Sequence, residues 1–549
     1  MTLRIGVDFD NTIACYDQVF VDVARTLRML DGSVESSKAQ VKESLLSRPD
    51  GDLAWQKLQG QVYGKYMHLA SVFHGFIEFL CLARLKGHSV FVVSHKSEYG
   101  HFDDDRVSLR DAAINWMRAN GLVGSKAFSL TENEVFFEPN RELKIERIRE
   151  LECACFIDDL QDIFEEPAFP VETGKVLFNP RRAATSDHAG HVACSWREIT
   201  QHLLGQWADT EVCQVVQARF PELKVRQAEL KKGRGNSRIY RLTGSDGGEY
   251  ALKVYPDRQL DHRLRLQNEF SACQCLNTAG FPVTQPLAKD ENLNWAAYAW
   301  VSGAPIQSPD DEFIDESAGF VERLLAESRS SKDFGEFGEA SEACLSGAEI
   351  VRQIHERIGR LVHVDSEALV HFLNGELLPA LELSIRAART HAGQLFDVSL
   401  PRTLQLLSPS DFGMHNAIRN GSGRTVFIDL EYFGWDDPAK LVCDFYWHPG
   451  MNLSSALKEK WLQRSKTIFR GDSSFETRVT AYLPLFALRW CLILLNEFLP
   501  HRRAHRIHAD DQHTNDADGI LSRQLDKSRS LLAQVNREVA HHGSTLKTA

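Results

Sequence analysis

The chain reads Ser-Pro-Ser-Asp-Phe-Gly-Met-His-Asn at residues 408–416 and Val-Phe-Ile-Asp-Leu-Glu at residues 426–431. Between them, the turn sequence Asn-Gly-Ser-Gly predicts a hairpin. Asp411 is suited to accept a proton from a substrate hydroxyl, and Asn416 and Asp429 offer an amide oxygen and a carboxylate to Mg²⁺. Carboxylates face a triphosphate only when a cation is present. The stretch therefore predicts magnesium-dependent phosphoryl transfer from a nucleotide.

Residues upstream of this stretch supply groups for binding that nucleotide. A glycine-rich turn lies between extended segments, and its backbone NH groups can lie over phosphates. The strand Tyr250-Ala-Leu-Lys-Val carries a lysine that can pair with the α- and β-phosphates, and a glutamate of the next helix can hold that lysine. For this glutamate, a solvated helix carboxylate is the alternative. The residues assigned to nucleotide binding are Gly233, Gly235, Asn236, Ser237, Lys253 and Glu269.

Residues from about 220 to 500 resemble the aminoglycoside phosphotransferase and choline kinase family, whose loop pattern is His-Gly-Asp, four residues, Asn, and then Asp-x-Glu/Asp. The resemblance implies a two-lobed, protein-kinase-like α+β domain over residues 206–549 that uses ATP and Mg²⁺. Its N-lobe would cover about 215–305 and its C-lobe about 306–549. Asp411 would be the catalytic base.

Two features of this region bear on the resemblance. Pro409 stands where the family has His, which puts the geometry of the loop in question. Asp411-Phe-Gly413 also spells the metal-binding motif of protein kinases, but the supporting Asn416 and Asp429 follow it rather than precede it, which indicates a coincidence. The segment Trp295–Val301 is predicted to be the hinge strand that hydrogen-bonds adenine.

The N-terminal part shows a different pattern, in which strands at residues 3–8, 89–94 and 154–158 alternate with helical segments. This alternation predicts an α/β fold with a parallel, Rossmann-like sheet. Acidic pairs follow two of the strands, Asp8 with Asp10 and Asp158 with Asp159. Because catalytic groups lie at the carboxyl ends of parallel strands, both pairs are expected at one site.

These residues suit phosphoryl transfer to a carboxylate, in which one aspartate attacks phosphorus and another protonates the leaving oxygen. A serine and a lysine can bind the phosphoryl oxygens, and acidic side chains can hold Mg²⁺. The set resembles the haloacid dehalogenase (HAD) superfamily of phosphatases over about residues 1–200. The resemblance implies the nucleophile Asp8, the acid/base Asp10, the phosphate ligands Thr12 and Ser94, the charge clamp Lys144, and the metal ligands Asp8, Asp10, Asp158 and Asp159.

Alternatives remain for part of this set. Asp10 and Thr12 could instead cap the next helix, and Lys126 and several nearby arginines compete with Lys144 for the role of the clamp. The predicted domain covers residues 1–205, and its insert at about 16–85 resembles a helical cap. Such a cap would exclude bulky substrates and favour small phosphorylated metabolites.

The bulk properties limit the classes of partner. The chain has 549 residues, which predicts more than one domain. A formal charge of −12 argues against broad binding to nucleic acid or to an anionic membrane. The 11 cysteines are expected to be reduced and mostly buried, and the N-terminus shows no secretory signal, which predicts a cytoplasmic protein. The apolar stretch 481–500 contains Arg489 and is predicted to be a buried helix rather than a membrane span.

Two polar stretches, 328–346 and 501–518, are predicted to be loops, and the histidines of the second are not expected to bind a metal. The leading functional hypothesis is a bifunctional enzyme. One half would phosphorylate a hydroxyl of a sugar, amino alcohol or aminoglycoside-like compound, and the other would hydrolyse a phosphomonoester, with a place in sugar or surface-glycan metabolism. The alternatives are an antibiotic-type resistance phosphotransferase and a regulator with one non-catalytic, nucleotide-sensing half. The sequence does not define the oligomeric state.

Overall fold

The computed structural model describes residues 2–30, 37–100, 102, 105–181, 190–231, 237–258, 261, 263–330, 334, 336–499 and 517–545. Its N-terminal strands are β1 Arg4–Val7, β2 Ala14–Cys15, β3 Ser71–Val72, β4 Ser89–His95, β5 Val135–Glu138, β6 Cys155–Asp158, β7 Gly174–Phe178 and β8 His191–Ala193. Its N-terminal helices are α1 Asp17–Thr26, α2 Lys38–Leu46, α3 Gly51–Tyr63, α4 Phe76–Leu85, α5 Leu109–Ala119, α6 Arg141–Glu150, α7 Gln161–Glu165, α8 Trp196–Leu203 and α9 Asp209–Arg219.

Within the described residues, the N-terminal part contains a six-stranded sheet with the strand order β5-β4-β1-β6-β7-β8. Every pairing in it is parallel. The central strand β1 is buried on both faces at Ile5, Gly6 and Val7, as expected for a strand covered by helices on each side. The predicted parallel α/β sheet is therefore present.

The predicted helical insert is only partly separate from this sheet. Helices α1, α2 and α3 pack on one another, whereas α4 packs against β4 and α8 beside the sheet. The prediction that the cap extends to residue 85 was therefore too long at its C-terminal end. The predicted boundary near residue 205 falls between α8 and α9.

The C-terminal strands are β9 Val225–Lys231, β10 Arg238–Gly244, β11 Glu249–Val254, β12 Pro286–Asp290, β13 Trp295–Ala299, β14 Gly303–Pro305, β15 Leu406–Ser408, β16 Ala417–Asn420, β17 Thr425–Phe427 and β18 Gly434–Asp436. The C-terminal helices are α10 Arg265–Thr278, α11 Asp311–Ser330, α12 Gly347–Leu361, α13 Glu367–Phe372, α14 Leu378–Ala392, α15 Pro438–Trp447, α16 Ser455–Ile468, α17 Phe475–Leu494 and α18 Ala517–Thr545. In the described residues, an antiparallel sheet of order β12-β13-β11-β10-β9 precedes a mainly helical region.

Strand β13 shows how this antiparallel sheet connects the two halves of the molecule. Trp295 and Ala297 point into an apolar cluster shared with the N-terminal sheet, and Ala296 and Tyr298 into the core of the helical lobe. This alternation follows from the period of two along a strand. At the contact with the N-terminal part, Trp295 Nε1 donates to Glu78 Oε1 on α4 over 2.7 Å.

Two local predictions in the helical lobe need correction. Helix α11 continues through Ser328 to Ser330, so the predicted loop at 328–346 begins too early. Of the second predicted loop, residues 501–516 and their histidines lie outside the described residues, and the last two positions belong to α18.

Helix α17 is the main support of the helical lobe. The segment Phe475–Phe498 is, among the described residues, the one helix long and apolar enough to cross a membrane, but 61% of its most apolar window is buried inside the protein. It packs against α12, α14, α15 and α18. Its buried Arg478 contacts Asp437 at 2.8 Å. The helix is therefore a core helix of this lobe, as predicted for residues 481–500.

Candidate active sites

The N-terminal site lies where β1, β4 and β6 end. Asp8 follows β1, and Asp158 is the last residue of the neighbouring β6. Lys144 lies in the first turn of α6, whose start is fixed by Asn140, the side chain of which accepts from Leu143 N. Lys144 Nζ is 2.6 Å from Asp8 Oδ1 and 2.6 Å from Asp158 Oδ2. The predicted clamp thus bridges two predicted acidic residues, while Lys126 is exposed elsewhere.

Burial governs the electrostatics of this site. It raises the pKa of Asp8 to about 7, a shift that Lys144 opposes and Asp158 reinforces. Burial also raises the pKa of Asp159, and Asp158 adds to that shift. One oxygen from each of Asp8, Asp158 and Asp159 lies within 4.8 Å of the others. Three clustered carboxylates with excess negative charge form a suitable site for a hard divalent cation.

Asp10 does not join this carboxylate cluster. Its carboxylate accepts from Lys96 Nζ at 2.7 and 3.0 Å and from the hydroxyl of Tyr16 at 2.5 Å. The assignment of the Asp10 side chain as a metal ligand is therefore a poor fit to the geometry. The helix-capping alternative is wrong, because Tyr16 is the N-cap residue of α1. Thr12 Oγ1 donates instead to Asp159 at 3.3 Å.

The sequence analysis missed residues that surround these carboxylates. Buried Lys96 follows the predicted phosphate ligand Ser94 by two positions at the end of β4, so its place at a strand end was a usable signal. Lys38 of α2 donates to Asn11 Oδ1 and to the Tyr63 hydroxyl, both at 3.2 Å. Through Lys38, the helical insert reaches the acidic loop.

The C-terminal site is organised around Lys253 of β11. Its Nζ lies 2.6 Å from Glu269 Oε2, 2.5 Å from Asp429 Oδ1 and 3.3 Å from Glu431 Oε2. Glu269 is 3% exposed and also accepts from the Tyr255 hydroxyl at 2.8 Å. The solvated alternative for Glu269 is therefore wrong.

The carboxylates around Lys253 form a second acidic cluster. One oxygen from each of Glu269, Asp429 and Glu431 lies within 4.8 Å of the others. Burial raises the pKa of Glu269 to about 7, with Lys253 opposing and Asp429 adding to the shift. Oxygen donors with this excess charge fit a hard cation such as Mg²⁺.

Asp411 lies on the loop before β16. His415 Nε2 is 2.9 Å from Asp411 Oδ1, and Asn416 Nδ2 donates to the Asp411 carbonyl oxygen at 2.9 Å. Burial opposes ionisation, but the His415 hydrogen bond and the His415 and His448 charges lower the pKa of Asp411 below its ordinary value. Asn416 is thus beside Asp411 and outside the acidic cluster that contains Asp429. The His415 ring stacks on the His448 ring at 3.9 Å; neither histidine was predicted, although His415 lies within the quoted motif.

The loop around Pro409 is held from α15. Ser410 has φ 65°, in the left-handed region that glycine adopts most easily. Lys440 Nζ donates to Ser410 Oγ at 3.0 Å and lies 3.1 Å from Asp436 and 3.3 Å from Asp444. A buried lysine therefore anchors the loop that carries Asp411.

A cavity of about 820 Å³ connects these groups. Lys253, Glu269, Asp411, Asn416 and Asp429 all line it, as do Ser237 and the end of the predicted hinge segment, Ala299, Trp300 and Val301. Gly233, Gly235 and Asn236 lie outside the described residues. The predicted nucleotide-binding and catalytic residues of this half that the structure describes therefore share one cavity.

Comparison with known proteins finds a sequence family that matches the C-terminal part. The sequence model of the family described as "Phosphotransferase enzyme family" matches residues 226–472, which contain Lys253, Asp411 and Asp429. This segment is therefore similar to the domains of that phosphotransferase family. The match does not extend to the N-terminal sheet, so the predicted haloacid dehalogenase domain has no support from it. A search of curated proteins finds no match to the chain.

Solved structures resemble part of the chain. A choline/ethanolamine kinase family protein from Mesorhizobium loti is 18% identical, with a TM-score of 0.39, over 60% of this chain and 99% of that chain. Choline kinase LicA from Streptococcus pneumoniae is 14% identical, with a TM-score of 0.39, over 59% of this chain and 98% of that chain. Amicoumacin kinase hAmiN, in complex with AMP-PNP, Ca²⁺ and Ami, is 12% identical, with a TM-score of 0.39, over 62% of this chain and 96% of that chain. We base the assignment of the C-terminal part on the family match and on its site geometry.

Proposed function

We propose that the chain is a bifunctional phosphoryl-transfer enzyme. Its C-terminal half transfers the γ-phosphoryl group of ATP to a hydroxyl of a small molecule, and its N-terminal half hydrolyses a phosphomonoester. The observation that carries the kinase half is the shared cavity lined by Lys253, Asp411 and Asp429 within a phosphotransferase-family match.

Each residue assigned to the C-terminal site has a chemical role in the kinase half. Glu269 orients Lys253, which binds the α- and β-phosphates of ATP. Asp411, positioned by His415, accepts the proton of the substrate hydroxyl. Asp429, with Asn416, would hold Mg²⁺, which supplies neutralisation of the phosphate charge when bound.

The kinase half is tested by measuring ADP formation from ATP with a panel of sugars, amino alcohols and aminoglycosides. We expect one class of hydroxyl compound to stimulate ADP formation and Asp411→Asn to abolish that stimulation. Asp365→Asn, at an exposed aspartate of the same lobe, serves as the matched control and should retain full activity. ATP binding without turnover on any compound would contradict the kinase proposal and favour a nucleotide sensor.

The phosphatase half is supported by the contact of Lys144 with Asp8 and Asp158 at the carboxyl ends of adjacent strands. Asp8 attacks phosphorus and expels the alcohol, and water then attacks the aspartyl-phosphate to release inorganic phosphate. Asp10, held by Lys96 and Tyr16, supplies and then removes the proton. The cluster Asp8, Asp158 and Asp159 would hold Mg²⁺, which lowers the electrostatic cost of bringing a phosphate to carboxylates.

Phosphate release from a panel of small phosphomonoesters tests this half. Asp8→Asn is expected to abolish release, and Asp162→Asn, at an exposed aspartate beyond β6, is expected to leave it unchanged. Retention of phosphate release by Asp8→Asn would remove the assigned nucleophile and with it the mechanism.

A further inference from the structure

Two buried arginines line the cavity that also contains Asp411. Arg357 of α12 is 8% exposed and Arg489 of α17 is 4% exposed. Both contact one carboxylate, that of Glu342, with Arg357 Nη2 at 2.5 Å and Arg489 Nη2 at 2.6 Å. We call Arg357, Arg489 and Glu342 the arginine subsite.

Glu342 differs from its two partners in burial and in backbone conformation. Its side chain is 39% exposed, and its φ of 63° lies in the left-handed region, which costs a non-glycine residue free energy. It belongs to the loop before α12 rather than to a helix or strand. The two arginines are thus fixed by core helices, whereas the carboxylate between them lies on a loop at the cavity wall.

The hydrogen-bonding capacity of the arginines exceeds what Glu342 uses. Within the part of the chain that the structure describes, the buried Nε of Arg489 has no hydrogen-bond partner. Guanidinium groups have donors arranged for planar, two-point binding of a carboxylate. Glu342 contacts each guanidinium through a single nitrogen, so a carboxylate with a different approach can make more hydrogen bonds.

The other charged groups at this end of the cavity are neutralised by neighbours. Asp444 lies 3.3 Å from Lys440 and 3.5 Å from Arg489, and it accepts from Trp490 Nε1 at 2.9 Å. Arg263 is engaged with Asp261 at 2.6 Å. A cationic group of a substrate would therefore meet carboxylates that already have counter-ions.

We propose that the hydroxyl compound phosphorylated in this cavity also carries a carboxylate, which binds Arg357 and Arg489 in place of the Glu342 side chain. This inference rests on the kinase function proposed above. Before substrate binds, Glu342 neutralises Arg357 and shares Arg489 with Asp444, so that both buried charges have a partner. The substrate carboxylate then takes the place of the Glu342 carboxylate, so neither buried arginine is left unpaired.

The test compares hydroxy compounds that differ at one group. ADP formation is measured with glycerate against glycerol and with gluconate against glucose, with choline and ethanolamine as the cationic arm. We expect the acid of a pair to exceed its neutral partner in kcat/KM by about tenfold or more, as charge-assisted bonds to arginine predict. A preference for the cationic compounds would overturn the proposal.

Substitutions in the arginine subsite should change the preference for acids over neutral alcohols in opposite directions. Glu342→Gln removes the competing carboxylate and should raise the ratio of kcat/KM for the acids to kcat/KM for the neutral alcohols. Arg357→Lys keeps the charge but loses the planar fork and should lower kcat/KM for the acids. Arg352→Lys, at an exposed arginine of the same helix, is the matched control. A lower ratio in Glu342→Gln would contradict the displacement of Glu342.

A binding measurement separates failure of this inference from failure of the kinase function. Glycerate and gluconate are added to the full-length Asp411→Asn variant, and thermal unfolding is followed with and without Arg357→Lys. A stabilisation by the acids that Arg357→Lys reduces supports the subsite even if no compound stimulates ADP formation. Equal unfolding temperatures with acids and with their neutral partners would overturn it.

Discussion

The N-terminal and C-terminal sites place a lysine between carboxylates in almost the same way. Lys144 lies 2.6 Å from Asp8 and from Asp158, and Lys253 lies 2.6 Å from Glu269 and 2.5 Å from Asp429. Their surroundings differ, because the Asp158 side chain is 0% exposed whereas that of Asp429 is 38% exposed beside a large cavity. The same electrostatic unit is thus enclosed in one half and open in the other.

The two scaffolds bring these residues together by different routes. In the N-terminal half, Asp8 and Asp158 meet because β1 and β6 are adjacent parallel strands that end at one edge. In the C-terminal half, Lys253 comes from an antiparallel sheet and Asp429 from the loop after β17 in the helical lobe. An open site between two structural layers leaves room for both a nucleotide and an acceptor, whereas the enclosed site suits one small phosphate ester.

The largest expected effect is the loss of stability on removal of Lys144, which should exceed the loss on removal of Lys253. Lys144→Met is expected to cost about 3–5 kcal/mol of unfolding free energy, because it leaves two buried carboxylates without their cation. Lys253→Met should cost less, since Asp429 is partly solvated, Glu431 also contacts Arg265, and Glu269 also accepts from the Tyr255 hydroxyl. Chemical denaturation of both variants, with the exposed Lys126→Met as control, measures the difference. Equal losses would show that the two sites are enclosed to the same degree.

A smaller effect is expected from the residue that positions Lys253. Glu269→Gln weakens the contact that holds Lys253 and should lower kcat/KM for ATP by about 10²-fold, the scale of losing one oriented electrostatic contact. Phosphate release by the N-terminal half should not change. Glu322→Gln, at an exposed glutamate of α11, is the control. If Glu269→Gln slowed both reactions equally, the two sites would not be independent.

A further effect appears only on acidification and concerns a histidine of the C-terminal site. Burial, with the charge of His415, lowers the pKa of His448 from 6.5 to about 3. Between these pH values the unfolded chain binds a proton that the folded protein does not. The contribution of His448 to the free energy of unfolding is therefore fully present above pH 6.5 and falls as the pH drops towards 3.

His448→Gln removes this titration and should lose less stability than the wild type on acidification. Thermal unfolding measured from neutral pH down to about pH 4, where the histidine contribution is substantial, gives the two slopes. Identical slopes would mean that His448 is protonated in the folded protein at mildly acidic pH.

The sequence was most informative where local rules determine proximity. The alternation of strands and helices predicted the parallel sheet, and the rule that strand ends share an edge predicted that Asp8 and Asp158 would lie together. Lys144 was harder to assign, because its contact depends on the start of α6 at Asn140 rather than on a strand end. In the C-terminal half, the spacing of Asp411, Asn416 and Asp429 predicted a shared site because the motif itself encodes the loop.

Other parts of both sites could not be predicted from the sequence. Arg357 and Arg489 belong to amphipathic helices distant in the chain from the motif, and helix periodicity shows which face is buried but not which helix it meets. Lys440 of α15 anchors the loop that carries Asp411, and nothing in the local sequence around Pro409 indicates it. The end of the helical insert was misplaced because α4 has an apolar pattern whether it packs on the sheet or on other helices.

The most direct test of the central claim is a crossed assay of Asp8→Asn and Asp411→Asn in the full-length chain. Each variant is assayed, under one set of conditions, for phosphate release from a phosphomonoester and for ADP formation with a hydroxyl acceptor. We predict that Asp8→Asn loses the first reaction and keeps the second, and that Asp411→Asn does the reverse. Two results would contradict two separate phosphoryl-transfer sites in one chain. The first is a variant that loses both reactions, and the second is that both variants keep both reactions.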